Sequence, residues 1–221
     1  MFADDAKICR YITCTDDYQI LQETVDKIQY WSDVWLLKLN VDKCKVVSYS
    51  RQVEKNKYVT VQNNCLVELQ CHAYVKDLGV VFDEKLNFSQ HISERINKAY
   101  SMLWLIKRNF RDIGPTAFVL IYKHLVRSHL EYNNSVWAPY RKSDIDKLEK
   151  VQKRATKMIQ GMGNFKYPER LRQLELQTLA YRRNRGDMIV TYKLLSGLYD
   201  KQVRAYTSFG YGYHRTTLYE R

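Results

Sequence analysis

The sequence lacks the patterns that are typical of membrane, secreted and zinc-binding proteins. No apolar run in its 221 residues reaches the roughly 18 residues that are needed to span a bilayer. The N-terminus carries acidic rather than basic residues, so we predict no secretory signal and an intracellular protein. The five cysteines are odd in number and show no CxxC spacing. This argues against zinc fingers and disulfides, and it predicts reduced thiols that are mostly buried.

Positive charge is abundant, and it is concentrated in one part of the chain. Residues 1–88 hold 11 Lys/Arg against 13 Asp/Glu, a net charge of −2, whereas residues 89–221 hold 25 against 11, a net charge of +14. A near-neutral first part followed by a strongly basic second part predicts that the second part binds a polyanion. The alternative is a solvated basic surface without a partner.

Two adjacent carboxylates, Asp4 and Asp5, lie between two short apolar runs near the start of the chain. Such a run suits the tip of a β-hairpin, where a carboxylate can bind a divalent cation. Phosphoryl transfer often uses two such cations. Asp-Asp is also an ordinary turn dipeptide, and the pair recurs at Asp16 and Asp17. The pattern alone therefore leaves both interpretations open.

The first part of the chain is predicted to mix helix and sheet. Apolar residues spaced three and four apart predict a helix over residues 17–36, with a capping box from Asp16 to Gln19 and a tryptophan stripe in the core. Residues 11–13 are predicted to complete the hairpin of the Asp pair. Short β-rich runs predict further strands, with a hairpin turn at Asn63-Asn64 and antiparallel pairing, at residues 45–49, 58–61, 66–69 and 78–82.

From Ser89 onward the pattern becomes helical. We predict helices that are capped by Ser89 and by Ser143, the latter with Asp146, and helices that begin at Pro115, at Pro168 and near residue 178. Residues 131–140 are predicted to form a loop, and Leu125 to lie on a buried stripe. The tail, 201–221, interleaves arginines with aromatics; it is predicted to be poorly ordered, although this composition also suits nucleic-acid binding.

Read in order, several segments resemble the reverse transcriptase of non-LTR (LINE-type) retrotransposons, especially of jockey-like elements. Phe2-Ala3-Asp4-Asp5 is similar to the family's [YF]-A-D-D, and residues 35–45 are similar to its W-x-L-x-x-N-x-x-K-[CT]-K segment. Residues 75–92 resemble its Y-L-G-V…D…L…H-I passage. Residues 130–139 and 148–155 resemble the helical region that follows. The resemblance extends over about residues 1–200, in the order of the family.

The resemblance implies an α+β fold and the chemistry of an RNA-directed DNA polymerase. Residues 1–88 would be a partial palm, residues 89–200 a basic helical thumb and the region after it, and residues 201–221 the tail. The partners would be an RNA template and a DNA primer, the cofactor would be Mg²⁺, and the resemblance makes the nucleus a possible location besides the cytoplasm.

The resemblance also implies roles for particular residues. Asp4 would ligate Mg²⁺, with Asp5 as a weaker ligand, and Phe2 and Ala3 would lie beside the primer terminus. Lys43 would approach the phosphates of the incoming nucleotide and protonate the leaving pyrophosphate. Leu78 and Gly79 would belong to a strand that grips the primer. The nucleic-acid backbone would be held by basic residues of the helices, namely Lys98, Lys107, Arg108, Lys150, Lys153 and Arg154.

The chain departs from the family at its start. The family has fingers, most of the palm and another metal-binding Asp ahead of the Asp pair, whereas Met1 immediately precedes the motif here. We therefore expect a fragment that is inactive as an isolated chain. Two alternatives remain open: a non-enzymatic, sequence-independent nucleic-acid-binding module, and a transposon remnant without function.

Overall fold

The computed structural model describes residues 6–49, 56–62, 65–110 and 113–198, which separate into two compact units. Within these ranges the first unit ends at Val75 and the second begins at Lys76. The predicted mixture of helices and small sheets is confirmed. Phe2, Ala3, Asp4 and Asp5, the Asn63-Asn64 turn and the tail lie outside the described residues.

The first unit combines one long helix with short strands. Helix α1 (Asp16–Val34) confirms the predicted helix, and a 3₁₀ turn follows at Val41–Lys43. Strands β2 (Val59–Gln62) and β3 (Cys65–Glu68) pair antiparallel, which confirms the predicted hairpin. Strands β1 (Lys45–Val46) and β4 (Gln70–Cys71) pair parallel, so the prediction of antiparallel pairings alone was wrong.

The start of α1 is stabilised by Asp17 and not by the predicted capping box. Thr15 precedes the helix, and its side chain makes no capping hydrogen bond. The buried Asp17 carboxylate accepts hydrogen bonds from the backbone N–H groups of Thr13, at 2.8 Å, and Cys14, at 3.1 Å. These bonds and the Arg10 guanidinium hold the pKa of Asp17 well below its usual range. Residues 11–13 form no strand, and the Thr13 amide is directed to Asp17 instead.

The described part of the first unit has a small hydrophobic core. Val41, Tyr58 and Leu69 are buried and pack against partly buried residues of the N-terminal half of α1. Trp31 and Trp35, near the end of the same helix, are 45% and 65% exposed. The prediction of a buried tryptophan stripe was therefore wrong, because this core reaches only the first turns of α1.

The cysteines are more exposed than the sequence pattern predicts. The five cysteines, which all lie within the described residues, form no disulfide, and only Cys44 is half-buried. The other four, which are exposed, are Cys9, Cys14, Cys65 and Cys71. The prediction of mostly buried thiols was wrong, because these residues lie in the N-terminal segment and in short strands that have little core to cover them.

A hairpin spans residues 74–83. Strands β5 (Tyr74–Asp77) and β6 (Val80–Asp83) are joined by Leu78 and Gly79, which both have positive φ, 43° and 81°. The prediction that these two residues lie in a strand was wrong, because they form the turn. The turn is stabilised by side chains of the second unit: the Tyr132 hydroxyl donates to the Leu78 carbonyl, at 3.0 Å, and Arg95 donates to the Gly79 carbonyl.

The second unit continues as a set of helices, and the helices predicted from periodicity are confirmed. In chain order they are α2 (Ser89–Asn109), α3 (Pro115–Ile121), α4 (Ser128–Glu131), α5 (Asn134–Trp137), α6 (Lys142–Lys157), α7 (Tyr167–Gln173) and α8 (Leu179–Leu195). Helix α5 lies within residues 131–140, so the prediction that this whole segment is a loop was wrong, because Asn134–Trp137 form a helical turn in which Trp137 is buried. In the part of the chain that the structure describes, no helix combines the length and the apolar character that crossing a membrane requires.

The ends of these helices differ from the sequence prediction. Phe88 and Arg141 precede α2 and α6, so the predicted caps at Ser89 and Ser143 were wrong. The turn before α2 is held instead by Asp83, whose carboxylate accepts backbone N–H groups, including that of Phe88 at 2.7 Å. An acceptor five residues earlier in the chain lies outside the spacing of a capping box.

A π-helical turn at Tyr122–Arg127 connects α3 to α4. Leu125 was predicted to be buried, but it is 47% exposed, whereas Val126 and Leu130 are fully buried. A π turn contains one more residue than an α turn, so it rotates the later side chains away from the positions that a 3.6-residue period predicts.

The core of the second unit is extensive. It joins β6 to the helices through twenty buried residues, among them Ile92, Leu103, Trp137 and Leu148. Trp137 is fully buried; its indole Nε1 donates to the Tyr132 carbonyl, at 2.7 Å, and its ring lies 5.1 Å from that of His91. This unit therefore provides a rigid base for the surface of α2 and α6.

A buried polar network joins three of these helices. Gln152 of α6 accepts the Tyr122 hydroxyl, at 2.7 Å, and donates to the Tyr167 hydroxyl, at 3.0 Å. Tyr167 in turn donates to the Glu149 carboxylate, which also accepts the Leu179 backbone N–H, at 3.1 Å. Burial raises the pKa of both tyrosines, so their hydroxyls remain protonated donors. Buried acceptors on α6 are thereby satisfied within the fold.

Candidate nucleic-acid interface

The basic side chains of helix α6 are exposed to solvent, whereas most of its carboxylates are buried. Of its three acidic residues, Asp144 and Glu149 are buried, and only Asp146 is exposed. Asp144 is paired with Lys147, at 2.8 Å. All six basic residues are exposed, namely Lys142, Lys147, Lys150, Lys153, Arg154 and Lys157. The exposed surface of α6 is therefore strongly cationic.

Helices α2 and α6 pack against each other and form a groove of about 640 Å³. Its lining includes Tyr100, Leu103, Trp104 and Lys107 of α2, Arg154 of α6, and Met158, which directly follows α6. Two of the basic residues singled out from the sequence, Lys107 and Arg154, thus lie on one groove although they are far apart in the chain. Arg108, a third, is exposed beside it.

Two aromatic side chains of the groove were missed by the sequence analysis. The Arg154 guanidinium lies 5.5 Å from the centre of the Tyr100 ring, and that of Arg108 lies 5.3 Å from the centre of the Trp104 ring. Trp104 is 58% exposed. The available signal was the four-residue spacing of Trp104 and Arg108 on a helix, which places the two side chains on one face.

The remaining basic candidates are distributed over different surfaces. Lys150 is exposed one turn before Arg154 on α6. Lys153 lies over the Tyr167 ring, 5.4 Å from its centre, and so faces α7. Lys98 is near His129, whose pKa is lowered by burial and, to a smaller extent, by Lys98 and Arg95. Of the basic residues predicted to hold nucleic acid, Lys107 and Arg154 therefore line the groove, and the others lie outside its lining.

The arginines early in α8 contribute little to this surface. Arg182 forms a bidentate pair with Glu131, one of its two bonds being 2.9 Å long. Arg183 is buried, and desolvation lowers its pKa. Arg185 alone of the three is exposed. The charge available to a polyanion in this region is therefore smaller than the sequence count indicates.

Comparison with known proteins identifies relatives of this chain. The chain is 31% identical over 147 residues to the RNA-directed DNA polymerase from mobile element jockey of Drosophila melanogaster, which covers 64% of this chain and 15% of the relative. It is 30% identical over 169 residues to the jockey polymerase of Drosophila funebris, covering 72% and 18%. The probable RNA-directed DNA polymerase from transposon BS of D. melanogaster is 23% identical over 163 residues, covering 72% and 18%.

The chain is a homologue of non-LTR retrotransposon RNA-directed DNA polymerases. It spans less than a fifth of the length of these jockey and BS polymerases. No protein-family model matches the sequence, and no solved structure matches it.

Among the described positions that the jockey-like motifs single out, Lys43 belongs to the first unit, and Leu78 and Gly79 belong to the second. Asp4 and Asp5 lie outside the described residues. Lys43 is exposed at the end of the 3₁₀ turn. Leu78 and Gly79 lie in the β5–β6 turn, where Gly79 faces Tyr132 and Arg95. Within residues 6–49, 56–62, 65–110 and 113–198, no group of three His, Cys, Asp or Glu side chains is placed to hold a metal ion.

Proposed function

We propose that this chain forms part of an RNA-directed DNA polymerase, in which residues 76–198 grip the nucleic-acid backbone without reading its sequence. The observation that carries the proposal is the surface of α6, where six cations are exposed and two of three carboxylates are buried. The homology to jockey polymerases supports nucleic acid as the polyanion.

Phosphate contacts of this kind orient a duplex but carry no sequence information. Lys150, Arg154 and Lys157 follow one another at helical spacing, and Lys107 extends the positive surface across the groove. Each phosphate that such a cation neutralises releases condensed counterions, so binding weakens as salt rises. Lys98, Arg108 and Lys153 are placed to add contacts at the margins of this surface.

The first part of the chain is proposed to contribute to catalysis. Asp4 and Asp5 would bind Mg²⁺, Phe2 and Ala3 would lie beside the primer terminus, and Lys43 would approach the nucleotide phosphates. The support is the resemblance of the motifs, in order, to those of the jockey-like family. The matched region is 15–18% of the jockey relatives, so we propose that these 221 residues do not extend a primer alone.

Binding is tested with a labelled RNA–DNA duplex and fluorescence anisotropy. Affinity is expected to fall on the order of a hundredfold between about 0.05 M and about 0.2 M salt if about four phosphates are contacted. The double variant Lys150→Glu with Arg154→Glu should weaken binding and reduce the salt dependence. Lys27→Glu with Lys57→Glu makes the same charge change on exposed positions of the first unit and is the matched control. Equal affinity at both salt concentrations would contradict the proposal.

Primer extension on an RNA template with Mg²⁺ tests the catalytic part. We expect no product from the wild-type 221-residue chain, and unchanged duplex binding in Asp4→Ala. A Mg²⁺-dependent product that disappears in Asp4→Ala would overturn the proposed inactivity and support Asp4 as a metal ligand.

Binding without extension is also the behaviour of the second candidate function, a non-enzymatic nucleic-acid-binding module, which the cationic surface of α6 favours equally.

A further inference from the structure

We propose that the groove between α2 and α6 binds an unpaired nucleotide of a single strand, with its base stacked on Trp104 or Tyr100 and its phosphates paired with Lys107 and Arg154. The inference rests on the proposed function and adds the class of nucleic acid that this particular site takes. The inference concerns one nucleotide in the groove. The phosphate contacts of the proposed function, which we call the backbone grip, are spread over the whole exposed surface of α6.

The first argument is the exposure of Trp104. The same unit buries Trp137 completely, whereas Trp104, which lines the groove, is 58% exposed. Hydrophobic transfer favours covering a ring of this size. A flat aromatic surface is a sequence-tolerant platform for a base, because each nucleobase has a π-face that can stack on it.

The second argument is the alternation of rings and cations. Arg108 lies over Trp104, Arg154 lies over Tyr100, and Lys107 lines the same groove. Arginine pairs with phosphate and stacks on rings, so the two kinds of group that recognise a nucleotide lie next to each other. An apolar peptide would use the rings but would leave these cations without an opposite charge. Charge complementarity therefore selects a nucleotide as the occupant.

The third argument is size and accessibility. About 640 Å³ falls within the range of small-molecule sites, roughly 300–1,000 Å³, and accommodates one nucleotide. Bases within a duplex are stacked on one another and offer only their edges to a protein. Stacking on Trp104 thus requires an unpaired base, and the groove should discriminate between single and double strands.

The test compares a labelled single-stranded oligonucleotide of about 12 nucleotides with the same sequence as a duplex. Trp104→Leu is expected to weaken single-strand binding about tenfold, and Trp104→Phe, which keeps a ring, to weaken it much less. Duplex affinity should remain the same in both variants. Trp35→Leu, at an exposed tryptophan of the first unit, is the matched control and should change neither affinity.

The possible outcomes separate this inference from the proposed function. If Trp104→Leu leaves single-strand binding unchanged while Lys150→Glu with Arg154→Glu weakens duplex binding, the nucleotide site is wrong and the backbone grip stands. If Trp104→Leu weakens both ligands equally and lowers the thermal midpoint, Trp104 is structural and the inference is overturned. If neither ligand binds in a salt-dependent manner, the proposed function itself fails.

Discussion

The two units differ in how much of their hydrophobic surface they bury. The described part of the second unit encloses twenty buried hydrophobic residues, whereas that of the first encloses Val41, Tyr58 and Leu69. The first unit leaves large apolar side chains exposed at the end of α1, Leu36 among them at 87%. Burial of apolar area is the main force that opposes the conformational entropy of the chain. Stability is therefore expected to reside in the helical unit.

The largest expected effect comes from opening the core of the second unit. Leu148→Ala removes a fully buried side chain and should cost about 2–5 kcal/mol in the free energy of unfolding, measured with urea. Val41→Ala in the first unit should cost less, because its small core can close around the lost atoms. Leu36→Ala, at an exposed position, should change stability by less than about 0.5 kcal/mol. Equal losses for Leu148→Ala and Val41→Ala would abolish the contrast between the units.

A smaller effect is expected from acid, and it should be confined to the second unit. His91 is buried, its Nδ1 accepts the Val81 backbone N–H at 3.2 Å, and burial, aided by Arg95, lowers its pKa to about 4. The unfolded chain, with an ordinary histidine pKa near 6.5, binds the proton first. Stability from neutral His91 is thus complete above about pH 6.5 and is lost as the pH falls towards about 4, by on the order of 2–3 kcal/mol.

The urea concentration at the midpoint of unfolding is measured at several pH values for wild type and for His91→Gln. Unfolding is monitored through a signal that comes from the helical unit. The variant should be less stable at neutral pH, and its stability should depend less on pH between 6.5 and 4. In the first unit, the low pKa of Asp17 preserves its stabilising bonds until the pH falls below the ordinary aspartate range. A pH dependence that is identical in wild type and His91→Gln would show that another group is responsible.

The smallest effect is expected at the exposed tryptophans of α1. Trp35→Ser should alter the free energy of unfolding by less than about 0.5 kcal/mol, since the side chain is already 65% exposed. Thermal unfolding, with Trp31→Ser as the companion variant, checks this value. A loss of several kcal/mol would mean that the first unit buries this stripe in solution, and the difference between the units would then be smaller than the structure indicates.

Much of the fold was predictable because local patterns agree with the final packing. The period of the apolar residues predicted α2 and α6 closely, since the same side chains that mark the pattern form the core. The β2–β3 hairpin was predictable from two β-rich runs around a turn dipeptide. The failures occurred where a side chain outside the local pattern decides the conformation. The Leu78-Gly79 turn depends on Arg95 and Tyr132, and the start of α2 depends on Asp83.

The candidate site was predictable only in part, for a similar reason. Net charge and helical spacing identified Lys107, Arg108 and Arg154 as exposed cations of the basic region. Neither pattern specifies that α2 packs on α6. Neither could therefore predict that Lys107 and Arg154 line one groove together with Trp104. The exposure of Trp104 could not be predicted from the sequence either, because an aromatic residue at helical spacing is more often part of a core.

The sequence by itself determined the long helices, the β2–β3 hairpin, the separation of charge along the chain and the kinship with jockey-like polymerases. Each of these properties depends on neighbouring residues or on the order of short motifs. Tertiary structure decided which tryptophans are buried, where the π turn shifts the register, and which cations share a groove. These properties depend on contacts between residues that are distant in the chain, and burial and packing are settled only when those residues meet.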